Sequence, residues 1–212
     1  MGEFIRARTD EQIASRQEEI INVCDAIYRE KGYEAVHFNA VSKKTSISRP
    51  AIYNYYQTKE EIFLDIIKRD FTKWTKELQA HFEITPKMTK KQFAGFLTES
   101  LINHEKYFEL FAVYLQPIET GSSLAKLTEF KEIFPPFYRV FHAGLDKYFP
   151  HAKDEDKRNF VSHFIVTVHG LFPFTHLSKK QIQAAKKSNP GYKAPDFRLI
   201  CFNMLMLLIA DL

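Results

Sequence analysis

Only seven glycines and two cysteines occur among the 212 residues, and each scarcity narrows the reading. So little glycine, with few β-branched alternations, argues against a sheet; apolar residues recur at helical spacing instead. Cys24 and Cys201 lie far apart in apolar helical contexts, which predicts buried thiols in a reducing compartment rather than a disulfide or metal site. The N-terminus lacks the apolar stretch of a signal peptide. The apolar run from Leu199 to Leu212 is too short to cross a bilayer, and Asn203 interrupts it. Catalytic signatures are missing as well: there is no phosphate-cradling glycine loop, no Gly-x-Ser-x-Gly and no His-Glu-x-x-His. The expectation is an all-α, cytoplasmic, non-enzymatic protein without cofactor or resident metal.

A more local absence carries the most information. From Ala35 to Lys59 there is no acidic residue, while Lys43, Lys44, Arg49 and Lys59 are all present. Elsewhere charges of both signs alternate, and the net charge is only +4. A stretch cleared of carboxylates and supplied with cations and hydroxyls suits a phosphate surface. The same stretch has helix-turn-helix logic. A first short helix spans about residues 39–45, anchored by Val41, and Ser46-Ile47-Ser48 makes the turn. Ser48 is placed to cap a second helix with Pro50 in its first turn, where the missing N–H costs nothing. Ile52 and Tyr56, at i and i+4, face inward; Arg49, Ala51, Tyr53, Asn54 and Tyr55 face partly outward. Thr58-Lys59-Glu60-Glu61 then reads as a capping box opening a long helix.

These residues resemble the DNA-binding domain of the TetR family. The resemblance is carried by Gly32-Tyr33, Ala40-Val41-Ser42, the run from Ile47 to Tyr56, and Thr58 to Ile62, and covers about residues 14–64. Two positions depart from the family pattern. Ser46 stands where the turn usually has glycine, so it must adopt the turn conformation at a cost or the turn must differ. Val36-His37 stands where the helix usually starts with Thr or Ser.

Helical patterns continue to the C-terminus. Thr9 to Gln12 caps a first helix ending at Gly32; a long one from about residue 59 to 82 turns Ile62, Phe63, Ile66, Ile67, Trp74 and Leu78 inward. Thr89 and Ser178 open further helices, Pro117 and Gly121 mark a loop, and Pro135-Pro136 kinks or splits a stretch over residues 123–149. The domain reading is residues 1–58 for helix-turn-helix and 59–212 for a helical ligand-binding and dimerisation domain.

That second domain is rich in phenylalanine, a pattern shared by ordinary cores and by aromatic-lined cavities. The family resemblance implies an effector pocket there, for which Trp74, Phe108, Phe111, Phe137, Phe141, His169 and Phe172 are the candidates. It also implies a four-helix homodimer interface from the helices over 154–177 and at the C-terminus, which are apolar on more than one side. The candidate residues are Phe160, Phe164, Val168, Leu171, Phe202, Leu205 and Leu208. His163, His169 and His176 lack a carboxylate at ligand spacing, so no metal is expected there.

The DNA reading assigns Arg49, Ala51 and Asn54 to base edges, with Arg preferring guanine and Asn adenine, and Pro50 and Ala51 to thymine methyls. Lys43, Ser48, Tyr53, Tyr55 and Lys59 would position phosphates. Arg6 and Arg8 are candidates for a minor-groove arm. The function expected is a homodimeric repressor of a palindromic double-stranded operator, released by a small apolar or aromatic effector that rotates the helix over 59–82. The alternatives are an activator, or a helical carrier or enzyme whose helix-turn-helix merely packs.

Overall fold

The computed structural model describes residues 9–212, and among them every regular element is helical. Arg6 and Arg8 lie outside the described residues. Contacts divide the chain into two compact units: the chain through Arg69 together with Gln116–Lys131, and Asp70–Leu115 together with Glu132–Leu212. The boundary expected at residues 58/59 thus falls inside the first unit, because the start of the long helix packs there against a segment some sixty residues downstream.

In the first unit, α1 (Asp10–Lys31) is capped by the Thr9 hydroxyl, which accepts from the Gln12 N–H, and stops at Gly32. Gly32 has φ of +83°, a conformation that side-chain-bearing residues avoid. A 3₁₀ turn (Tyr33–Ala35) follows, then α2 (Phe38–Ser42) and α3 (Arg49–Ile52). Ile20, Cys24, Val41, Ile52, Tyr56 and Phe63 close the core. The opening turns of α4 (Lys59–Ile84) belong to this unit, as do most of α7 (Leu115–Thr120) and all of α8 (Leu124–Lys131).

The second unit holds the remainder of α4 with α5 (Lys90–Asn103), α6 (Glu105–Glu109), α9 (Phe134–Tyr148), α10 (Asp154–Thr175), α11 (Lys179–Ser188) and α12 (Phe197–Leu208). Thr89 and Ser178 each form a full capping box with the Gln three residues on. The double proline splits the pattern over 123–149 into α8 and α9, with both prolines in the first turn of α9, where their absent N–H groups are not needed. One expectation changes and one feature is new. Pro117 sits in the first turn of α7 rather than in a loop. The segment Leu110–Tyr114 between α6 and α7 is π-helical. At the other end of the unit, α12 packs between α5 and α10, burying Cys201 and Leu205.

Candidate nucleic-acid interface

The turn between α2 and α3 is built from charge. Glu19 on α1 accepts the Ser46 backbone N–H at 2.5 Å and the Ser46 hydroxyl at 2.9 Å, and Arg16 reaches both Glu19 and the Ser46 hydroxyl. Burial pushes the Glu19 carboxyl up, but the Ser46 hydrogen bonds and Arg16 outweigh it and the pKa is lowered. No residue other than glycine has positive φ among those described. Ser46 therefore does not imitate the family's glycine; a different turn is held by a carboxylate. His37 resolves the second departure, since its Nδ1 accepts the Ala40 N–H at 3.1 Å and caps α2 as a Thr or Ser hydroxyl would.

Ser48 occupies the N-cap position of α3, yet its side chain makes no capping hydrogen bond, contrary to the expectation from spacing. Arg49 and Pro50 are exposed, with Ala51 half-buried behind them. Tyr53 and Asn54 are exposed, Tyr53 lying edge-on to Phe38 at 4.8 Å between centroids, and Tyr55 is half-buried. Lys43 is exposed beyond α2, while Lys44 is 3.5 Å from Glu30. Lys59 is tethered rather than free: its Nζ lies 4.2 Å above the Tyr33 ring and 3.8 Å from Glu34. A cleft of about 430 Å³ gathers Arg49, Tyr53 and Lys59 with His37, Asn39 and Glu60, none of these last three among the expected DNA contacts.

Behind this face, α3 and α4 are latched to the α7–α8 corner. Glu61, 2 % exposed, accepts the Gln57 N–H at 2.7 Å and the Ser123 N–H at 3.2 Å, and its own N–H reaches the Thr58 hydroxyl. The capping box expected at Thr58 is therefore only half formed, its carboxylate having turned to Gln57 and Ser123. Burial raises the Glu61 carboxyl, and hydrogen bonds from Ser123 and Gln57 together with Lys126 reverse the shift. The Thr58 hydroxyl donates to the Gly121 carbonyl at 3.0 Å. Lys126 meets both Asp65 oxygens at 3.0 and 2.9 Å and Glu129 at 3.2 Å, and Lys68 donates to Glu129 at 2.5 Å.

In the second unit most of the candidate effector residues form one ring cluster. Trp74 stacks on Phe137 at 5.5 Å and meets Phe108 edge-on at 5.3 Å; Phe137 touches Phe141 at 5.1 Å; Phe111 packs on His169 at 4.3 Å. Phe71 joins Trp74, Phe111 and Phe137, with Tyr107 beside it. Neither Phe71 nor Tyr107 was among the candidates, although helical steps from Trp74 and Phe111 point to them. Phe172 stands in another ring group, stacked on His176 and edge-on to Phe197. A groove of about 460 Å³ between α4 and α9, floored by Phe82, Pro136 and Val140, contains none of the seven candidates. Among the described residues no three His, Cys, Asp or Glu side chains are grouped to hold a metal ion.

Two family models match the chain: the bacterial regulatory proteins of the tetR family over residues 20–66, and the tetracyclin repressor-like C-terminal domain over residues 68–210. The chain belongs to the TetR family. A TetR-family transcriptional regulator carries a DNA-binding domain followed by a ligand-binding domain. The chain is 23 % identical over 128 residues, 58 % of its length and 67 % of the relative's, to the HTH-type transcriptional regulator QacR of Staphylococcus aureus (strain Mu50 / ATCC 700699). Its fold is shared with the fatty acid degradation regulator FadR from Bacillus halodurans (TM-score 0.57, 11 % identity, 96 % and 97 % of the two chains). It is also shared with FadR from Bacillus subtilis in complex with stearoyl-CoA (TM-score 0.50, 15 % identity, 92 % and 98 %).

For this TetR-family chain the interface residues read from the sequence require correction. Phe160, Phe164, Val168, Leu171 and Leu205 are buried within the chain's own core, and Phe202 and Leu208 are half-buried, so the first five have no surface to offer a partner. The same helices expose other apolar residues: Val166 is 69 % exposed and Phe174 60 % on α10, with Leu199 at 60 % and Leu207 at 69 % on α12. Both helices are apolar on two faces, and the pattern alone did not say which face the core takes. Among the described residues no single helix is long and apolar enough to cross a membrane.

Proposed function

We propose that the chain is a homodimeric, cytoplasmic transcriptional repressor that binds a palindromic operator and is released by a small apolar or aromatic effector, without chemistry of its own. The observation that carries the DNA half is the acid-free α2–α3 segment, residues 35–59, with Arg49, Pro50, Tyr53 and Asn54 exposed together. Arg49, Ala51 and Asn54 read base edges and Pro50 adds apolar contact. Lys43, Ser48, Tyr53, Tyr55 and Lys59 hold phosphates, Lys59 by leaving Glu34 for the backbone. Residues 1–58 supply DNA reading, with the first turns of α4 and the α7–α8 segment packed on them, and the rest of 59–212 supplies effector binding and dimerisation.

One α3 of four residues contacts too few base pairs for useful specificity, whereas two held about 34 Å apart read a palindrome. The outward faces of α10 and α12, with Val166, Phe174, Leu199 and Leu207, supply the partner surface. Effector in the ring cluster shifts α4 and the α7–α8 corner latched to it, so effector and operator weaken each other's binding by the same factor.

The test is selection of duplex DNA from a random pool by the purified protein at a stated near-physiological salt concentration. A recovered palindrome whose half-sites lie near one helical turn apart supports the reading. Weak, sequence-blind binding that salt abolishes, with the double variant Arg49→Ala/Lys59→Ala indistinguishable from wild type, sinks it in favour of a carrier.

A further inference from the structure

The ring cluster buries the hydroxyl of Tyr107. Tyr107 is 2 % exposed and its hydroxyl has no hydrogen-bond partner. Four other buried polar groups of the same unit do have partners. Trp74 donates to the Ser100 hydroxyl at 2.6 Å, Thr75 to the Phe71 carbonyl, Thr98 to the Ala94 carbonyl, and Lys157 to Asp146. Native cores rarely carry such an orphan, and where one occurs it calls for an explanation such as a missing hydrogen-bond partner.

A second observation falls at the same place. The π-helical stretch Leu110–Tyr114 begins three residues after Tyr107, and its Phe111 ring lies on Tyr107 at 5.7 Å. A π turn is rare, often marks a functional site, and interrupts the regular ladder. Phe108 meets Tyr107 edge-on at 4.7 Å from the other side, and Phe71 closes a third at 5.7 Å.

We propose that the effector site centres on Tyr107, and that the effector is a neutral molecule of one or two rings bearing a carbonyl or ether oxygen that accepts the Tyr107 hydroxyl. This rests on the reading of the second unit as an effector domain and adds the ligand's chemistry. Entry of such a molecule requires Phe111 and Phe108 to move off Tyr107, which the π-helical wall permits more readily than a regular helix. An anion is disfavoured because the charge of Asp70 already acts on Tyr107 and the one buried cation of this unit, Lys157, is paired with Asp146; a cation would have only the half-buried Asp70 to meet it, no carboxylate of this unit being fully buried among the described residues. Burial, and then the charge of Asp70, hold the phenol protonated, so Tyr107 remains a donor.

The experiment titrates full-length protein by calorimetry with naphthalene, 2-acetylnaphthalene, 2-naphthoate, a naphthylmethyl-trimethylammonium salt and stearoyl-CoA. Trp74 is the only tryptophan in the chain and reports the same events by fluorescence. The expected result is tightest binding of the ketone, weakened about tenfold in Tyr107→Phe, with naphthalene bound equally by both proteins and Tyr107→Phe melting no lower than wild type. Equal ketone affinity in Tyr107→Phe places the probe elsewhere, as in the α4–α9 groove, and overturns the proposal. So does tighter binding of either ionic naphthalene or of stearoyl-CoA, or failure of every probe to bind. Operator affinity of the wild-type protein is measured on the same preparation. Operator binding without probe binding defeats only the ligand assignment, whereas probe binding without operator binding defeats the repressor reading and leaves the site.

Discussion

Tyr56, at the end of the α3 segment, donates its hydroxyl to Asp65 on α4 at 2.7 Å, and that same carboxylate holds Lys126 of α8. Burial first, then the Asp65 charge, push the phenol far above its ordinary range, so it stays a donor. Tyr56→Phe is expected to cost about 1.5–3 kcal/mol, the range for a hydrogen bond to a charged group. The urea midpoint should fall with the slope unchanged. A variant as stable as wild type removes this bond from the account of the latch.

Glu61 makes the latch sensitive to acid. A carboxyl whose folded pKa lies below its unfolded value stabilises the fold above that unfolded value, near 4.5, and loses the contribution as pH falls through the folded pKa. Glu129 is shifted the same way, by the Lys68 hydrogen bond first. Glu61→Gln should therefore cost about 1–3 kcal/mol at pH 7, because an amide N–H₂ faces donors. The gap to wild type should narrow below pH 4.5. Parallel urea titrations between pH 7 and pH 3.5 check it, and a pH-independent gap contradicts the assignment.

The Glu19–Ser46 pair predicts a local effect. Glu19→Ala removes both acceptors of the α2–α3 turn and should cost about 1–2 kcal/mol. Because the turn sets the angle of α3, operator affinity should drop about tenfold or more while the melting of the second unit is unchanged. Gel-shift titration beside differential scanning calorimetry separates the two effects.

Gly144 predicts a sign. In a helix interior Gly→Ala ordinarily gains up to about 1 kcal/mol. Here an added Cβ would lie 2.6 Å from the Phe82 ring, which Phe93, Phe96 and Tyr148 hold in place. Gly144→Ala should instead lose about 1–3 kcal/mol through overpacking. A raised melting temperature would show that Phe82 can move aside.

The partner surface is tested by Val166→Glu with Leu207→Glu. Both side chains are exposed in the single chain, so the fold should survive; on the dimer proposal, sedimentation should report a dimer for wild type and a monomer for the double variant. Operator affinity should fall at least a hundredfold, since one half-site then binds alone. A double variant that still sediments as a dimer moves the interface elsewhere.

Local signals in the sequence were the most legible. The caps at Thr9, Thr89 and Ser178, the stop at Gly32 and the break at Pro135-Pro136 each depend on residues within a turn of one another, and each forms as its spacing predicts. The inward row of α4 was equally readable, because one apolar face repeats over many turns. What escaped is long-range or two-sided. Glu19 meets Ser46 across 27 positions, and Ser123 meets Glu61 across 62. The π stretch has no local signature, and the two apolar faces of α10 and α12 left their phase undetermined. Tyr107 escaped because its significance lies in an unmade bond, which no spacing records.

The discontinuity of the first unit bears on the order of synthesis. Gln57, Glu61 and Asp65 leave the ribosome before Asp70–Leu115, and only after that stretch do Ser123 and Lys126 follow. At about 5–20 residues per second, the nascent α3–α4 corner waits roughly 3–12 seconds for the groups that complete it. During that interval Glu61 and Asp65 keep water for company, and the reading surface is assembled without its latch. A chain stalled between residues 70 and 115 would therefore present a DNA-reading head that no effector can address.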